Sequence, residues 1–367
     1  MGNRVCSVLS LFCILVLLFE GSNCRYGTEP VLTPPPPGKP DTTSHIVSWI
    51  VDSLGTQGVS RDVWAFSRDS AIAVGQILLP DSNGVVTGEN PYACAWWNGK
   101  TWRPVYLTYL YSEQAFVLSE VHGIWVSPNG DFWISAGRVW HWDGVSPQAQ
   151  LRFDNLSLPT RYAGVEKLWG ASNNNIFGVG NAGTIVHFDG TNWTQMTSGT
   201  TVDLQDVWGL DGSHVWVTGS NVGDGHSITL RYDGTSWSKL YDNTGQTPLM
   251  YFNFSSVWTY DETLLYLTGG SQLRVLQEGK YTQIETGGQY VSYRVRGINQ
   301  NDIFTTGQGS EVTHYNGVSW YLYPELKALN GGYSWFYNVH AEKDFVLIGG
   351  LSLTSLNSYP IVVRGYR

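Results

Sequence analysis

Two residues recur at a fixed spacing along this chain, and their recurrence constrains the fold more than any other feature. In five of seven copies a glycine follows the first position eleven residues later, as Gly219 follows Trp208. The first positions are Trp64, His122, Trp169, Trp208, Trp258, Arg296 and His340. The glycines are Gly75, Gly137, Gly180, Gly219, Gly269, Gly307 and Gly349, spaced 38 to 62 residues apart. A period of this size is typical of stacked supersecondary units such as propeller blades.

Most copies also carry an aromatic residue followed by a tight turn, as in Tyr232-Asp233-Gly234. Asp-Gly and Asn-Gly between apolar runs are strong hairpin signals, because both turn positions need a positive φ. A tryptophan such as Trp237 then opens a further strand. The sequence therefore predicts four short strands per copy and, overall, an all-β, seven-bladed propeller of four-stranded blades.

The last copy is one strand short, and the missing strand is expected at the other end of the chain. Trp49 precedes Trp64 by fifteen residues, the spacing that separates Trp193 from Trp208. The segment around Trp49 is therefore predicted to be the fourth strand of the last blade. Closure of the ring by this N-terminal strand would leave no open sheet edge.

The first 44 residues are predicted to be a targeting segment and a linker. Residues 8–19 form a predominantly apolar run, too short for a membrane span of about 20 residues and typical of a secretory signal. The four residues ending at Cys24 resemble a bacterial lipobox, although Gly21 and Asn23 depart from it. Simple secretion is the alternative. We expect a signal peptide at 1–23, a Pro-rich linker at 24–44 and the propeller at 45–367.

The net charge argues against one class of partner, and the cysteine count argues against a disulfide. The net charge of −9 argues against nucleic acid, which requires a basic surface. With Cys24 acylated, Cys94 has no partner, and we expect it to be a small buried hydrophobe. Three histidines (His141, His187, His314) share one repeat position, but blades hold such positions far apart. No metal site and no cofactor are predicted.

Residues 45–367 resemble bacterial propellers built on V-W-G and D-G-x-x-W repeats, as in Val207-Trp208-Gly209 and the turn from Asp233 to Trp237. The repeats are similar in style to kelch and Asp-box repeats, with different spacings between the turn and the tryptophan. Photosystem-assembly propellers share the seven-bladed plan. The resemblance implies the fold and does not by itself imply a function.

Loop insertions concentrate on one face of the predicted propeller, which is where repeat arrays usually bind. Aromatic candidates on this face are Tyr109, Tyr251 and Trp335, which could stack on sugars or anchor a protein. The alternative is that such aromatics cap their own loops. His122, Arg296 and His340 replace the channel tryptophan, and they either pack as it does or form a polar channel wall.

The function that these observations favour is a lipid-anchored, exported binding module for a protein or a glycan. We expect a monomer in the bacterial cell envelope, as an outer-membrane lipoprotein. The alternative is a carbohydrate-active transferase, hydrolase or lyase at the channel mouth. Glu120, Glu166 and Asp206 lie near the starts of first strands, but only convergence of two carboxylates would make a site. The sequence assigns no catalytic residue, and these observations favour a binding protein over an enzyme.

Overall fold

The computed structural model describes residues 43–88, 91–111, 113–158, 160, 163–221, 225–243, 254–270, 272–329, 333–355 and 357–367. The predicted signal peptide, most of the predicted linker and Tyr251 lie outside these residues. Their predicted roles, including lipidation of Cys24, are therefore not addressed by the structure.

Thirty strands and two short helices follow one another along the described chain. Before blade one comes β1 (Ser48–Ser53). Blade one contains β2 (Gln57–Ser67), β3 (Ser70–Leu78), β4 (Tyr92–Trp97) and β5 (Trp102–Val105). A hairpin of β6 (Thr108–Tyr111) and β7 (Gln114–Val117) precedes blade two, which contains β8 (Gly123–Val126), β9 (Phe132–Ala136), β10 (Arg138–Trp142) and β11 (Gln148–Phe153). A 3-10 helix, Asn155–Ser157, follows β11.

The remaining blades are arranged in the same order. Blade three contains β12 (Gly164–Ser172), β13 (Asn175–Asn181), β14 (Thr184–Phe188) and β15 (Trp193–Met196). Blade four contains β16 (Leu204–Asp211), β17 (His214–Ser220), β18 (Ser227–Tyr232) and β19 (Trp237–Asp242). Blade five contains β20 (Phe254–Trp258), β21 (Leu265–Gly269), β22 (Gln272–Gln277) and β23 (Lys280–Ile284). Blade six contains β24 (Ser292–Asn299), β25 (Asp302–Gly307), β26 (Val312–Tyr315) and β27 (Trp320–Leu322), and helix α1 (Glu325–Leu329) follows it. Blade seven contains β28 (Ser334–Glu342), β29 (Phe345–Leu353) and β30 (Ser358–Tyr366).

Each blade is an antiparallel meander, and the seven sheets confirm the predicted propeller. Six sheets have four strands, and the sheet of blade two has six because β6 and β7 extend it beyond β11. The pairing of β6 with β11 is parallel. The first strand of every blade lines the central channel. We call the four strands of each blade a, b, c and d, from the channel outward.

The N-terminal strand closes the ring as predicted. Strand β1 pairs antiparallel with β30, with Trp49 opposite Gly365 and Asp52 opposite Val362. Asp52 accepts hydrogen bonds from Arg364 at 2.5 and 3.0 Å and from Trp102 Nε1 at 2.9 Å. Because Trp102 belongs to blade one, this carboxylate joins the first blade to the last.

The turns lie where they were predicted, but in each Asp-Gly or Asn-Gly pair only the glycine has a positive φ, and the expectation of two positive φ values was wrong. Gly190 has a φ of +94°. Asp189 accepts 2.8 Å hydrogen bonds from the backbone N–H groups of Thr191 and Asn192, and these bonds lower the pKa of its carboxyl group. The same two-bond pattern occurs at Asn98, Asp143, Asp233 and Asn316. The side chain thus fixes the turn that joins strands c and d.

The V-W-G repeat is explained by contacts between neighbouring blades. A Cβ atom added at Gly209 would lie closer than 3.0 Å to the ring of Trp169 in the preceding blade. The same holds for Gly170 against Trp125 and for Gly297 against Trp258. The glycine therefore makes room for the neighbouring tryptophan.

Blade two departs from the sequence-based alignment. Trp125 lies opposite Trp133, as Trp208 lies opposite Trp216 in blade four. Trp125, and not His122, therefore holds the channel position, and the position predicted for Gly137 is occupied by Ala136. The hairpin inserted before β8 and the missing glycine obscured this register. In blade seven the corresponding glycine is Gly350 rather than Gly349, because His340 pairs with Leu347.

Cys94 is buried and unpaired, as expected, with only 1% of its surface exposed. Burial raises the pKa of its thiol well above the ordinary value. This cysteine is therefore a packing residue of blade one.

The closure predicts a sharp boundary for N-terminal truncation. A chain that starts at residue 43 should unfold at the same urea concentration as the longer chain. A chain that starts at residue 54 lacks β1 and the contact of Trp49 with Tyr323, whose ring centroids are 5.0 Å apart. We expect a loss of about 3 kcal/mol or more in unfolding free energy, and aggregation through the exposed edge. Urea denaturation and light scattering measure the two effects, and equal midpoints for both chains would contradict the closure.

Candidate functional site

The central channel is the candidate site, and its wall is built from the repeated first position of strand a. Five of the seven wall residues are tryptophans: Trp64, Trp125, Trp169, Trp208 and Trp258. Arg296 and His340 are the other two. Arg296 lies over the ring of Trp208, 5.0 Å from its centroid, and His340 contacts Trp64 at 4.6 Å between ring centroids. A cavity of about 260 Å³ lies within this wall.

A β-bulge shapes the channel mouth in six of the seven blades. In strand a of each of these six blades, the residue three positions before the wall residue has no pairing partner in strand b. Together with His122, which holds the same position in blade two, these residues form what we call the mouth ring: Arg61, His122, Glu166, Gln205, Ser255, Tyr293 and Tyr337. A bulge leaves one residue out of the ladder and re-aims its side chain.

The repeated glycine of strand b is required by this bulge. A Cβ atom added at Gly180 would lie closer than 3.0 Å to the carbonyl oxygen of Gly164, two residues before the bulged Glu166. The same backbone contact is found at the corresponding glycine of four other blades: Gly75, Gly219, Gly307 and Gly350. The glycine that reveals the repeat in the sequence is thus the residue that permits the mouth ring.

Members of the mouth ring contact one another around the channel. Tyr293 and Tyr337 stack with ring centroids 5.3 Å apart, and the guanidinium of Arg61 lies 5.7 Å from the centroid of Tyr337. Arg61 Nε donates to Glu120 Oε1 at 2.8 Å. A continuous polar and aromatic surface therefore extends from blade six through blade seven to blade one.

His122 continues this surface into blades two and three. Its ring bonds to the carboxylate of Glu166, and its Nε2 lies 3.8 Å from Glu120 Oε1. Burial favours the neutral imidazole, but the hydrogen bond and the negative charge of Glu166 outweigh it and raise the pKa of His122. Asn181 Nδ2 donates to the other oxygen of Glu166 at 3.0 Å.

Below the mouth ring lies a layer of buried charges that we call the ion layer: Asp62, Lys167, Asp206, Arg294 and Arg296. Asp62 accepts from the side chain of Lys167 and, at 3.0 Å, from the backbone N–H of Ile124. Asp206 pairs with Arg294 at 2.6 Å and with Arg296 at 2.7 Å. The two guanidinium groups hold the pKa of the Asp206 carboxyl far below its ordinary value despite the burial that opposes this.

Lys167 has the opposite perturbation. Burial is the largest cause that lowers its pKa to about 8, and the positive charges of Arg294 and Arg296 add to it, while Asp62 opposes them. Since these guanidinium groups act on Lys167, the two halves of the ion layer belong to one electrostatic unit.

The predicted binding residues are divided among different places. His122 belongs to the mouth ring, and Trp335 lies beside it, with its ring centroid 6.5 Å from that of Tyr337. Arg296 and His340 line the channel. Tyr109 lies in β6 on the outside of blade two, stacked on Phe116 at 5.7 Å and packed against Trp140 at 5.5 Å. The structure thus groups four of the predicted residues around the channel and places Tyr109 apart from them.

Convergence of carboxylates at the mouth is partial. Glu120 and Glu166 lie on either side of His122, whereas Asp206 is buried below them. A glycosidase acid needs a carboxyl group that stays protonated, usually in an apolar setting. Glu166 instead accepts hydrogen bonds from Asn181 and His122. This setting suits a structural pair better than a general acid.

The three repeated histidines lie in separate blades. Each bonds to a residue of its own blade: His141 to Asp131, His187 to Asn175 and His314 to Asp302. Over the described part of the chain, no three His, Cys, Asp or Glu side chains are grouped closely enough to hold a metal ion. Within the same ranges no helix is long and apolar enough to cross a membrane.

Sequence reasoning missed the ion layer, although a signal for it exists. A charged residue stands two positions before the wall residue in four blades: Asp62, Lys167, Asp206 and Arg294. Each is followed by an aliphatic residue and then by the wall residue. Such a charge inside a buried strand needs a partner, so the pattern could have indicated ion pairs across the channel.

The dependence of the bulge on glycine gives a mutational prediction. Gly180→Ala should displace strand a from strand b and destabilise the protein by about 3 kcal/mol. Gly88→Ala is the matched control, because a Cβ atom there has nothing within 4 Å. Urea denaturation of both variants measures the difference. A Gly180→Ala protein as stable as the Gly88→Ala protein would show that the close approach is not limiting.

Comparisons with known proteins support the fold and no family. No family model matches the chain, and no curated protein matches it. Among solved structures, YCF48 bound to a D1 peptide is similar with a TM-score of 0.62 and 15% identity, over 90% of this chain and 99% of that one. YCF48 from Cyanidioschyzon merolae gives 0.59 and 12%, over 87% and 98%. The WD40 β-propeller domain of Doa1 gives 0.55 and 11%, over 85% and 95%. The chain therefore has a seven-bladed propeller fold of the WD40 and YCF48 type.

Proposed function

We propose that this protein is an interaction module that binds a peptide segment of a partner protein across its mouth ring. The observation that carries the proposal is the contrast between neighbouring repeat positions. Two residues after the bulge, every blade has an aliphatic residue: Val63, Ile124, Leu168, Val207, Val257, Val295 and Val339. The bulge position itself carries six residue types in seven blades. Blade architecture therefore leaves the mouth ring free to vary, as a recognition surface requires.

The chemistry of the mouth ring suits a polar peptide with an aromatic or cationic side chain. Tyr293 and Tyr337 offer stacked rings, and Tyr and Arg are the residues enriched at binding hot spots. Glu120 pairs with Arg61, and Glu166 pairs with His122, so both carboxylates of this part of the surface have a partner. A structural neighbour, YCF48, has been solved with a bound peptide, which supports a peptide as the kind of ligand.

Panning a phage-displayed library of random linear peptides on the propeller tests the proposal. Tyr337→Ala and Arg61→Ala should each weaken the enriched peptides about tenfold or more, since hot-spot truncations cost about 2 kcal/mol. Tyr260→Ala is the matched control, because this tyrosine is 51% exposed in the turn between β20 and β21 on the opposite face. Failure to enrich any peptide, or equal losses from Tyr260→Ala, would contradict peptide binding at the mouth.

Glycan binding is a second candidate, and a separate cleft favours it. The cleft, of about 710 Å³, lies between blades two and three and is lined by aromatic and polar side chains, among them Phe188, Trp193, Arg152 and Asn192. Phe188 and Trp193 stack at 5.3 Å between ring centroids. A glycan array run beside the peptide library separates the candidates. Glycan binding that is lost in Trp193→Ala and retained in Tyr337→Ala would favour this cleft.

We further propose that the module is exported and lipid-anchored in a bacterial envelope. Support comes from the apolar run at residues 8–19, the box that ends at Cys24 and the Pro-rich stretch after it. A single acyl chain binds membranes weakly and stable anchoring takes more than one, so a multiply acylated Cys24 is expected to hold the protein on a membrane.

Replacement of Cys24 tests the anchor. The Cys24→Ser protein should move from the membrane fraction to the soluble fraction of the envelope without a change in melting temperature, because residue 24 precedes the first strand. Cys94→Ser provides the control for loss of a thiol, and it should leave membrane fractionation unchanged. A Cys24→Ser protein that has lost its signal peptide and still sediments with membranes would contradict lipidation.

A further inference from the structure

We propose that the ion layer holds a small monovalent anion, such as chloride or formate, inside the channel. The proposal concerns a site below the mouth ring and does not depend on what binds above it. It rests on the number of charges in the layer, on the hydrogen bonds that those charges make and on the space beside them.

The ion layer contains more cations than carboxylates. Lys167, Arg294 and Arg296 have side chains that are 10%, 11% and 10% exposed, while Asp62 and Asp206 are 2% and 0% exposed. Asp62 pairs with Lys167. Asp206 therefore faces two guanidinium groups, and the layer has one positive charge in excess.

The repeat shows which cation is the additional one. Lys167 in blade three and Arg294 in blade six hold the same position, two residues before the wall, and each pairs with an aspartate two blades earlier. Arg296 stands at the wall position, where five blades have tryptophan. The arginine that replaces this tryptophan thus adds a charge for which the repeat has no carboxylate.

The oxygens of Asp206 are already committed. Oδ1 accepts from Arg296 Nη2 at 2.7 Å, and Oδ2 accepts from Arg296 Nη1 at 2.9 Å, from Ser256 Oγ at 2.6 Å and from the Val257 N–H at 3.0 Å. Arg294 Nη1 lies 2.6 Å from Oδ1, but neither its Nη1 nor its Nε has an aligned hydrogen-bond acceptor, although both atoms are buried. Arg294 therefore has charge and donors that Asp206 does not satisfy.

Neighbouring charges do not remove the excess. In the mouth ring above, Glu120 pairs with Arg61 and Glu166 pairs with His122, whose pKa is raised by this contact despite burial. Beside the wall, His340 Nε2 lies 3.2 Å from the half-exposed Glu342. The lowered pKa of Lys167, about 8, still leaves it mostly charged at neutral pH. An uncompensated charge in a buried site is costly, so a counterion there is strongly favoured.

The channel offers space and further donors for that counterion. The cavity of about 260 Å³ is lined by Lys167, Arg296 and Asn338, among others. A water molecule takes about 30 Å³ in the liquid, so a hydrated halide or a one-carbon carboxylate fits. A single excess charge selects a monovalent anion over a divalent one.

The test measures the unfolding equilibrium of the chain that starts at residue 43, in sodium chloride, sodium formate and sodium gluconate at equal ionic strength. Gluconate is too bulky for the site and controls for general screening. An anion at a hundred times its Kd should lower the unfolding equilibrium constant about 100-fold relative to gluconate. Equal unfolding constants in the three salts would overturn the proposal.

Variants locate the effect. Arg294→Met leaves Asp62 with Lys167 and Asp206 with Arg296, so the layer becomes neutral and the difference between salts should disappear. Arg296→Trp restores the repeat residue and should have the same consequence. Lys239→Gln, which removes a surface cation that is 48% exposed, should keep the wild-type difference. A salt difference that survives in Arg294→Met would place the anion outside the ion layer and overturn the proposal.

A pKa measurement on the unmodified protein tests the proposal without unfolding it. A bound anion favours the charged form of Lys167, so its pKa should be higher in chloride than in gluconate. NMR titration of ¹³C-labelled lysine side chains, with Lys167 assigned from Lys167→Met, reports this shift. The same pKa of Lys167 in both salts would contradict an anion in the layer.

Discussion

The close approach of strand b to the bulge of strand a is the contact on which the channel depends. Five strands b cross this bulge with a glycine whose Cβ would collide with a backbone carbonyl. Because the bulge inserts one residue, it places Glu166 or its equivalent at the mouth and returns the next residue to the ladder. A glycine that looks like a simple strand end in the sequence therefore fixes both the mouth ring above and the ion layer below.

Contacts between blades then make the ring a single unit. Three wall tryptophans, Trp125, Trp169 and Trp258, pack on the glycine that follows the next wall residue, as Trp169 packs on Gly209. Asp62 and Asp206 act over a longer range. Each carboxylate begins in one blade, accepts a backbone N–H from the next blade and pairs with a cation in the blade after that. Strand β1 supplies the last contact that closes the ring. Loss of one blade contact should therefore lower the stability of the neighbouring blades as well.

The fold could be predicted from the sequence, whereas the site could be predicted only in part. Local chemistry identified the Asp-Gly turns, and equal spacing of Trp49 and Trp193 from the next wall tryptophan identified the closure. Blade two was misaligned because its hairpin lengthened the repeat and Ala136 replaced the glycine. His122 was consequently assigned to the wall, although it belongs to the mouth ring. A bulge has no residue type of its own, so the mouth ring required three-dimensional pairing to be seen.

Charged residues in the channel pose a physical question that packing alone does not answer. Replacement of a buried ion pair by apolar side chains is often neutral or stabilising, and blade five already has Ser256 at the position of Asp62. In blades one to three the pairing of Asp62 with Lys167 is balanced. In blades four to six the second guanidinium, that of Arg296, breaks the balance at a wall position where tryptophan would maintain the packing. A stabilising role for the layer would require only one cation for each aspartate. The additional cation is better explained by an anion in the channel, where Lys167 of blade three and Arg296 of blade six line the same cavity.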